Sequence, residues 1–140
     1  MGAAWLERAG VVASKYLRSR LKSSPADALE WDEVWSYSYT LAGDTRPASV
    51  AVRLRLFNPG AEPWTLAGAA LVDSTGEQVE LATWQEAPIA ANGAGTVVVG
   101  TPREQEQLAC PCTLKLWEAQ GPRTLTLGNV TFPAGSKTEP

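Results

Sequence analysis

The chain has 140 residues, 44% of them hydrophobic and 19% charged, with a formal net charge of −3; these are globular proportions for one domain, since two cores in that length would each be too small to hold themselves together. It contains no histidine, which removes the usual general base near neutral pH and the commonest metal ligand, and with them serine–histidine and cysteine–histidine nucleophile systems. An acidic whole is a poor nucleic-acid binder, and no run approaches the roughly 20 apolar residues of a membrane-spanning helix.

The charge is lopsided. Arg8, Lys15, Arg18, Arg20 and Lys22 against Glu7 give +4 over the first 24 residues and leave −7 for the rest. Trp5, Ala9, Val12 and Tyr16, flanked by Leu6, Leu17 and Leu21, follow the three-and-four spacing of a helical stripe, so residues 4–22 are predicted as an amphipathic helix ended by Ser23-Ser24-Pro25. Arg8, Lys15, Arg18 and Lys22 fall on its other side and form a candidate partner-binding face, although a solvated face over a docked helix is the reading such charges favour. The first residues lack the basic start, apolar run and cleavage site of a signal peptide. That predicts a cytoplasmic protein if the chain is natively this short.

From Leu29 the period becomes two. Leu29, Trp31, Trp35, Tyr37, Tyr39 and Leu41 occupy odd positions with Glu30, Asp32, Ser36, Ser38 and Thr40 between them, and only Glu33 interrupts the apolar series. This predicts a strand whose aromatic side enters the core; the competing reading is a ligand-stacking platform of Trp31, Trp35, Tyr37 and Tyr39. Val50, Val52, Leu54 and Leu56 alternate with Ala51, Arg53 and Arg55 in the cleanest strand of the sequence, closed by an Asn58-Pro59-Gly60 turn. Further strands are predicted over 64–72, 78–84, 95–100, 113–117 and 124–132, with turns at Asp73-Ser74-Thr75-Gly76, Asn92-Gly93 and Gln120-Gly121-Pro122. Gly68, Ala69 and Ala70 leave room for close approach by a backbone or a tryptophan. In the last strand Leu125 and Leu127 are odd while Val130 and Phe132 are even, so a β-bulge is expected at Gly128-Asn129.

About seven short strands with regular turn signals predict a mainly β fold: an immunoglobulin-like antiparallel sandwich over 25–133, preceded by the helix of 1–24 and followed by a flexible tail at 134–140. A closed barrel is the architectural alternative. The carboxylate pairs Asp32/Glu33 and Glu104/Glu106 are of a kind found on most soluble surfaces, and the glycines form no phosphate loop or dinucleotide fingerprint. Cys110-Pro111-Cys112 places two thiols close enough for exchange chemistry or half of a shared zinc site. An unbridged pair, one cysteine in the core and one facing a loop, is the reading their neighbours favour. The sequon Asn129-Val130-Thr131 falls inside a predicted strand and has little weight.

Leu56-Phe57-Asn58-Pro59-Gly60, Pro63-Trp64-Thr65-Leu66-Ala67-Gly68-Ala69, Thr113-Leu114-Lys115-Leu116-Trp117-Glu118 and Leu127-Gly128-Asn129-Val130-Thr131-Phe132-Pro133 resemble a myxobacterial paralogous family of unknown function. The resemblance covers most of residues 26–133, and the chain looks like the C-terminal half of longer members that carry a secretory signal and a helical connection. It implies an exported or envelope-associated parent, and it supplies no catalytic residue; the family's genes often lie beside serine/threonine kinase genes. The expectation that results is a non-catalytic binding or assembly module, without cofactor or metal, whose partner is another protein or a second copy of itself. A carbohydrate-binding module using the aromatic strand face is the alternative, and an enzyme using carboxylates or thiols stands behind both.

Overall fold

A computed structural model describes residues 10–16, 22–23, 28–40, 47–103, 107–119 and 121–133. Its strands are β1 (Gly10–Tyr16), β2 (Lys22–Ser23), β3 (Glu30–Thr40), β4 (Pro47–Asn58), β5 (Leu66–Val72), β6 (Gln78–Gln85), β7 (Gly93–Thr101), β8 (Cys112–Glu118) and β9 (Thr124–Val130). All pair antiparallel, in the order β1-β3-β4-β7-β6-β5-β8-β9-β2. The seven strands from β3 to β9 make one nearly closed sheet, and β1 and β2 lie at the two ends of the order.

The alternation in β4 becomes burial directly. Val50, Val52, Leu54 and Leu56 are buried, while Arg53 and Arg55 are exposed. β6 makes the sheet curl: Gln78 to Leu81 pair with β5, whereas Ala82 to Gln85 pair with β7. One strand thus belongs to both flanks, and the expected division into two immunoglobulin-like sheets is replaced by a bend within it. The flanks enclose a single core in which Val34, Val52, Leu54, Val97 and Val99 meet Leu71, Leu81, Leu114, Leu116, Leu125 and Leu127. Across the open side, Ala28 N–H donates to Thr124 O at 3.2 Å and Ser38 Oγ to Pro133 O at 2.6 Å.

The helix expected over 4–22 is corrected at its centre. Gly10 to Tyr16 is strand β1, paired with β3 from Gly10 opposite Thr40 to Tyr16 opposite Trp35. Val11, Val12 and Tyr16 suit an extended chain as well as a helical stripe, and a sheet edge offering unpaired backbone groups outweighs a weak local preference. The flanking residues 4–9 and 17–21 lie outside the described residues, as does the expected tail at 134–140.

A second correction concerns the aromatic strand. Between Trp31 and Glu33 the ladder advances two residues on β3 for one on β4, because Trp31 is opposite Leu56 and Glu33 opposite Arg55. Asp32 is the extra residue of this β-bulge, and a shift of one exchanges the faces of everything beyond it. Leu29 and Trp31 therefore pack on the core, while Val34, Ser36 and Ser38 take the inward places further on. Glu33, Trp35 and Tyr37 turn outward. Glu33, the one interruption in the odd-numbered apolar series, marks this reversal.

The bulge expected at Gly128-Asn129 is present. Cys112 is opposite Val130 and Leu114 opposite Leu127, so β9 holds one extra residue, and Asn129 has φ of 63°. Leu125, Leu127, Val130 and Phe132 are all buried as a result. Trp117, opposite Gly68, lays its indole where a Cβ on Gly68 would stand 2.5 Å from ring carbon Cζ2. Gly68→Ala is therefore expected to push the ring outward and to destabilise by about 1–3 kcal/mol. Chemical denaturation checks the loss, and a red shift of tryptophan emission checks the displacement.

Candidate functional site

Residues directly opposite one another in a ladder project from the same face. Tyr16 is opposite Trp35, Trp35 opposite Arg53, Arg53 opposite Val98, and Val98 opposite Trp84. These pairings place five residues in one outward row across β1, β3, β4, β7 and β6. At the usual strand separation the row spans about 19 Å. Tyr16 is 41% exposed, Arg53 is exposed, and Trp35 and Trp84 are half-buried; Val98, between two long side chains, is buried. The next row sets Tyr37, Ala51, Gly100 and Ala82 in register. Small residues thus border the large ones.

Local contacts order this surface. The Tyr16 and Trp35 rings meet at 5.2 Å between centroids with a 40° tilt, and the Arg53 guanidinium lies 5.9 Å from the Tyr37 ring centroid. Such placement favours the cation electrostatically over the ring face. Tyr16 Oη donates to the backbone carbonyl of the bulge residue Asp32 at 3.3 Å, and Asp32 pairs with Arg55 at 3.5 Å. At this end a cleft of about 240 Å³ opens between Trp31, Asp32, Arg55 and Phe57. The bulge therefore positions both the outward aromatics and the cleft beside them.

A comparison with protein families matches residues 7–130 to a family described as a protein of unknown function, DUF2381. The chain belongs to the DUF2381 family. No curated protein and no solved structure matches it.

Of the residues singled out from sequence in this DUF2381 domain, Trp35 and Tyr37 join the outward surface. Trp31 is packed against the core at the cleft, and Tyr39 continues along β3 opposite Ser49. The basic set is not brought together on a helix. Lys15 lies on β1 opposite Ser36 and Lys22 on β2 opposite Gly128, at the two ends of the strand order. Arg8, Arg18, Glu104 and Glu106 lie outside the described residues. Sequence reasoning missed Arg53, Trp84 and Tyr16 as surface partners of Trp35. The alternation in β4 did set Arg53 opposite the core, but only the strand order puts it beside an aromatic.

A second surface surrounds Trp117, which is 37% exposed and borders a groove of about 410 Å³ with Gly68, Glu80, Ala82 and Thr83. Among the described residues no group of three histidine, cysteine or carboxylate side chains is placed to hold a metal ion. Cys110 and Cys112 are joined in a disulfide, which corrects the expectation of an unbridged pair. Cys112 enters the core, as expected, and Cys110, in the preceding loop, is partly buried against the edge of that core.

The loops are anchored by Arg123. Its guanidinium binds Glu118 through Nε at 3.0 Å and Nη2 at 2.5 Å, and reaches Asn58 Oδ1, Glu62 O and Pro63 O. Glu118 is held below its ordinary value of 4.5, chiefly by the Arg123 side-chain hydrogen bonds, with burial acting in the opposite direction. A carboxyl depressed on folding adds stability above its unfolded pKa, and that stability is lost as pH falls through the folded value. Wild-type and Glu118→Gln proteins should therefore differ most near neutrality and converge as pH falls below the ordinary value of 4.5 and through the lowered folded one. Urea midpoints across that range check it.

Proposed function

We propose that this domain is a non-catalytic binding module that engages another protein through the outward face of β1, β3, β4, β7 and β6. The observation that carries the reading is the cross-strand row of Tyr16, Trp35, Arg53 and Trp84. Tyrosine, tryptophan and arginine are the residue types that dominate protein–protein hot spots, because they combine a large contact area with directional polar groups. Here Tyr16, Trp35 and Arg53 are neighbours in register, ordered by the Tyr16–Trp35 ring contact and by the contact of Arg53 with the Tyr37 ring, which lowers the entropy lost on binding. The resemblance to exported myxobacterial proteins favours a partner in the cell envelope.

The test is capture of the partner from cells that express the native gene, followed by titration with purified components. Trp35→Ala and Arg53→Ala should each weaken binding by about 30-fold, equivalent to about 2 kcal/mol, while Lys115→Ala, at an exposed position of β8 outside this face, leaves it unchanged. A strict monomer that retains no partner at micromolar concentration contradicts the reading.

Saccharide binding is the second reading, favoured by one observation: the Trp117 ring is partly exposed beside Glu80 and Thr83. An indole face with a carboxylate and a hydroxyl at its rim is suited to stacking a sugar ring and bonding its hydroxyls. Titration with soluble oligosaccharides, read by tryptophan fluorescence and repeated with Trp117→Ala, separates the two readings.

A further inference from the structure

Cys110 and Cys112 are bridged across a single residue, Pro111, in the loop that leads into β8. The stabilisation expected from a cross-link grows with the loop it closes, so a bridge across three residues restrains the unfolded chain very little. Nor is it needed to hold Cys112, which begins β8 opposite Val130 and is 1% exposed in the core. A free thiol there packs as a small apolar group, so the reduced form is accommodated. The two sulfurs also differ in access. Cys110 is partly buried against the edge of the core but borders exposed Pro111, whereas Cys112 is 1% exposed.

From this asymmetry we infer that the Cys110–Cys112 pair is a reversible dithiol–disulfide exchange site whose co-reactant is a small or protein-borne dithiol. In the reducing direction a thiolate of the dithiol attacks Cys110 Sγ, the Cys110–Cys112 bond breaks, and Cys112 Sγ leaves with the electron pair and takes a proton. The second thiolate of the reductant then attacks its own sulfur in the mixed disulfide and releases Cys110, which is protonated in turn. The protein gains two electrons and two protons, and the dithiol becomes a disulfide. The inference is independent of the outward aromatic face.

The test equilibrates the wild-type protein, without denaturant, in graded mixtures of reduced and oxidised dithiothreitol. Excess maleimide is added to the folded samples at neutral pH, where a thiolate fraction is present, and the protein is weighed by mass spectrometry after set times. The expected result is one two-electron transition with an unchanged near-ultraviolet circular dichroism spectrum, and with label reaching Cys110 before Cys112. Cys112→Ala should form a mixed disulfide with glutathione at Cys110, whereas Cys110→Ala leaves Cys112 unlabelled until the protein is denatured. Reduction that occurs only in denaturant, reduction that unfolds the domain, or a pair that stays reduced in fully oxidised dithiothreitol overturns the inference. The wild-type measurement decides the matter even if either variant fails to fold.

Discussion

Trp64→Ala is expected to lower the stability of the domain by about 3–5 kcal/mol, the range for removing a fully buried tryptophan. Trp64 has 0% exposure and is the largest of the fully buried side chains. Its backbone exchanges both hydrogen bonds with Ile89 at 2.9 Å, which ties the segment before β5 to the segment before β7. Its indole N–H approaches Arg123 O at 3.5 Å, next to the Arg123–Glu118 pair. Truncation would leave a cavity where the Asn58–Pro63 turn, the Ile89 segment and the start of β9 converge. Against a usual total of about 5–15 kcal/mol the variant would be marginal. Trp64→Phe, which keeps most of the volume, should lose much less. Urea denaturation of the three proteins checks the order.

Deleting Asp32 is the second change with a large expected effect. The bulge reconciles an inward Leu29 and Trp31 with an inward Val34, Ser36 and Ser38. Without the extra residue the two sets cannot both face the core. The ladder from Glu33 to Tyr39 is longer and keeps its register, so Leu29 and Trp31 turn outward. At about 1.5–3 kcal/mol for each large apolar side chain, the loss is on the order of 4 kcal/mol. Asp32→Ala keeps the bulge and removes the exposed ion pair with Arg55, so it should stay within about 0.5 kcal/mol of wild type. A deletion as harmless as the substitution would show that the residue is not a bulge. Acrylamide quenching of Trp31 reports the reversal independently.

The contrast shows what local pattern could convey. The inward set of β4 was legible because Val50 to Leu56 alternate without exception, and the β9 bulge because its apolar residues change parity at a glycine–asparagine pair. In β3 the same logic misled: tryptophan and tyrosine have apolar bodies that pass for core, and serine passes for surface. The pairing with β4 decides otherwise. Residues 10–16 carried both a helical spacing and β-branched residues, and their partner, β3, is remote in sequence. The row of Tyr16, Trp35, Arg53 and Trp84 draws on four strands, so no single stretch of chain displays it. Gly68 was legible as a point of close approach, although not that Trp117 would fill it.

The most direct test of a protein-binding outward face is position-specific photocrosslinking in cells that express the native gene. A benzophenone amino acid replaces Tyr37 on that face or, in a control protein, Lys115, which is exposed on β8 away from it. The expected result is a discrete protein adduct from position 37, absent from position 115 and lost when Arg53→Glu is added. Equal adducts from both positions, or no protein adduct from position 37, would contradict it.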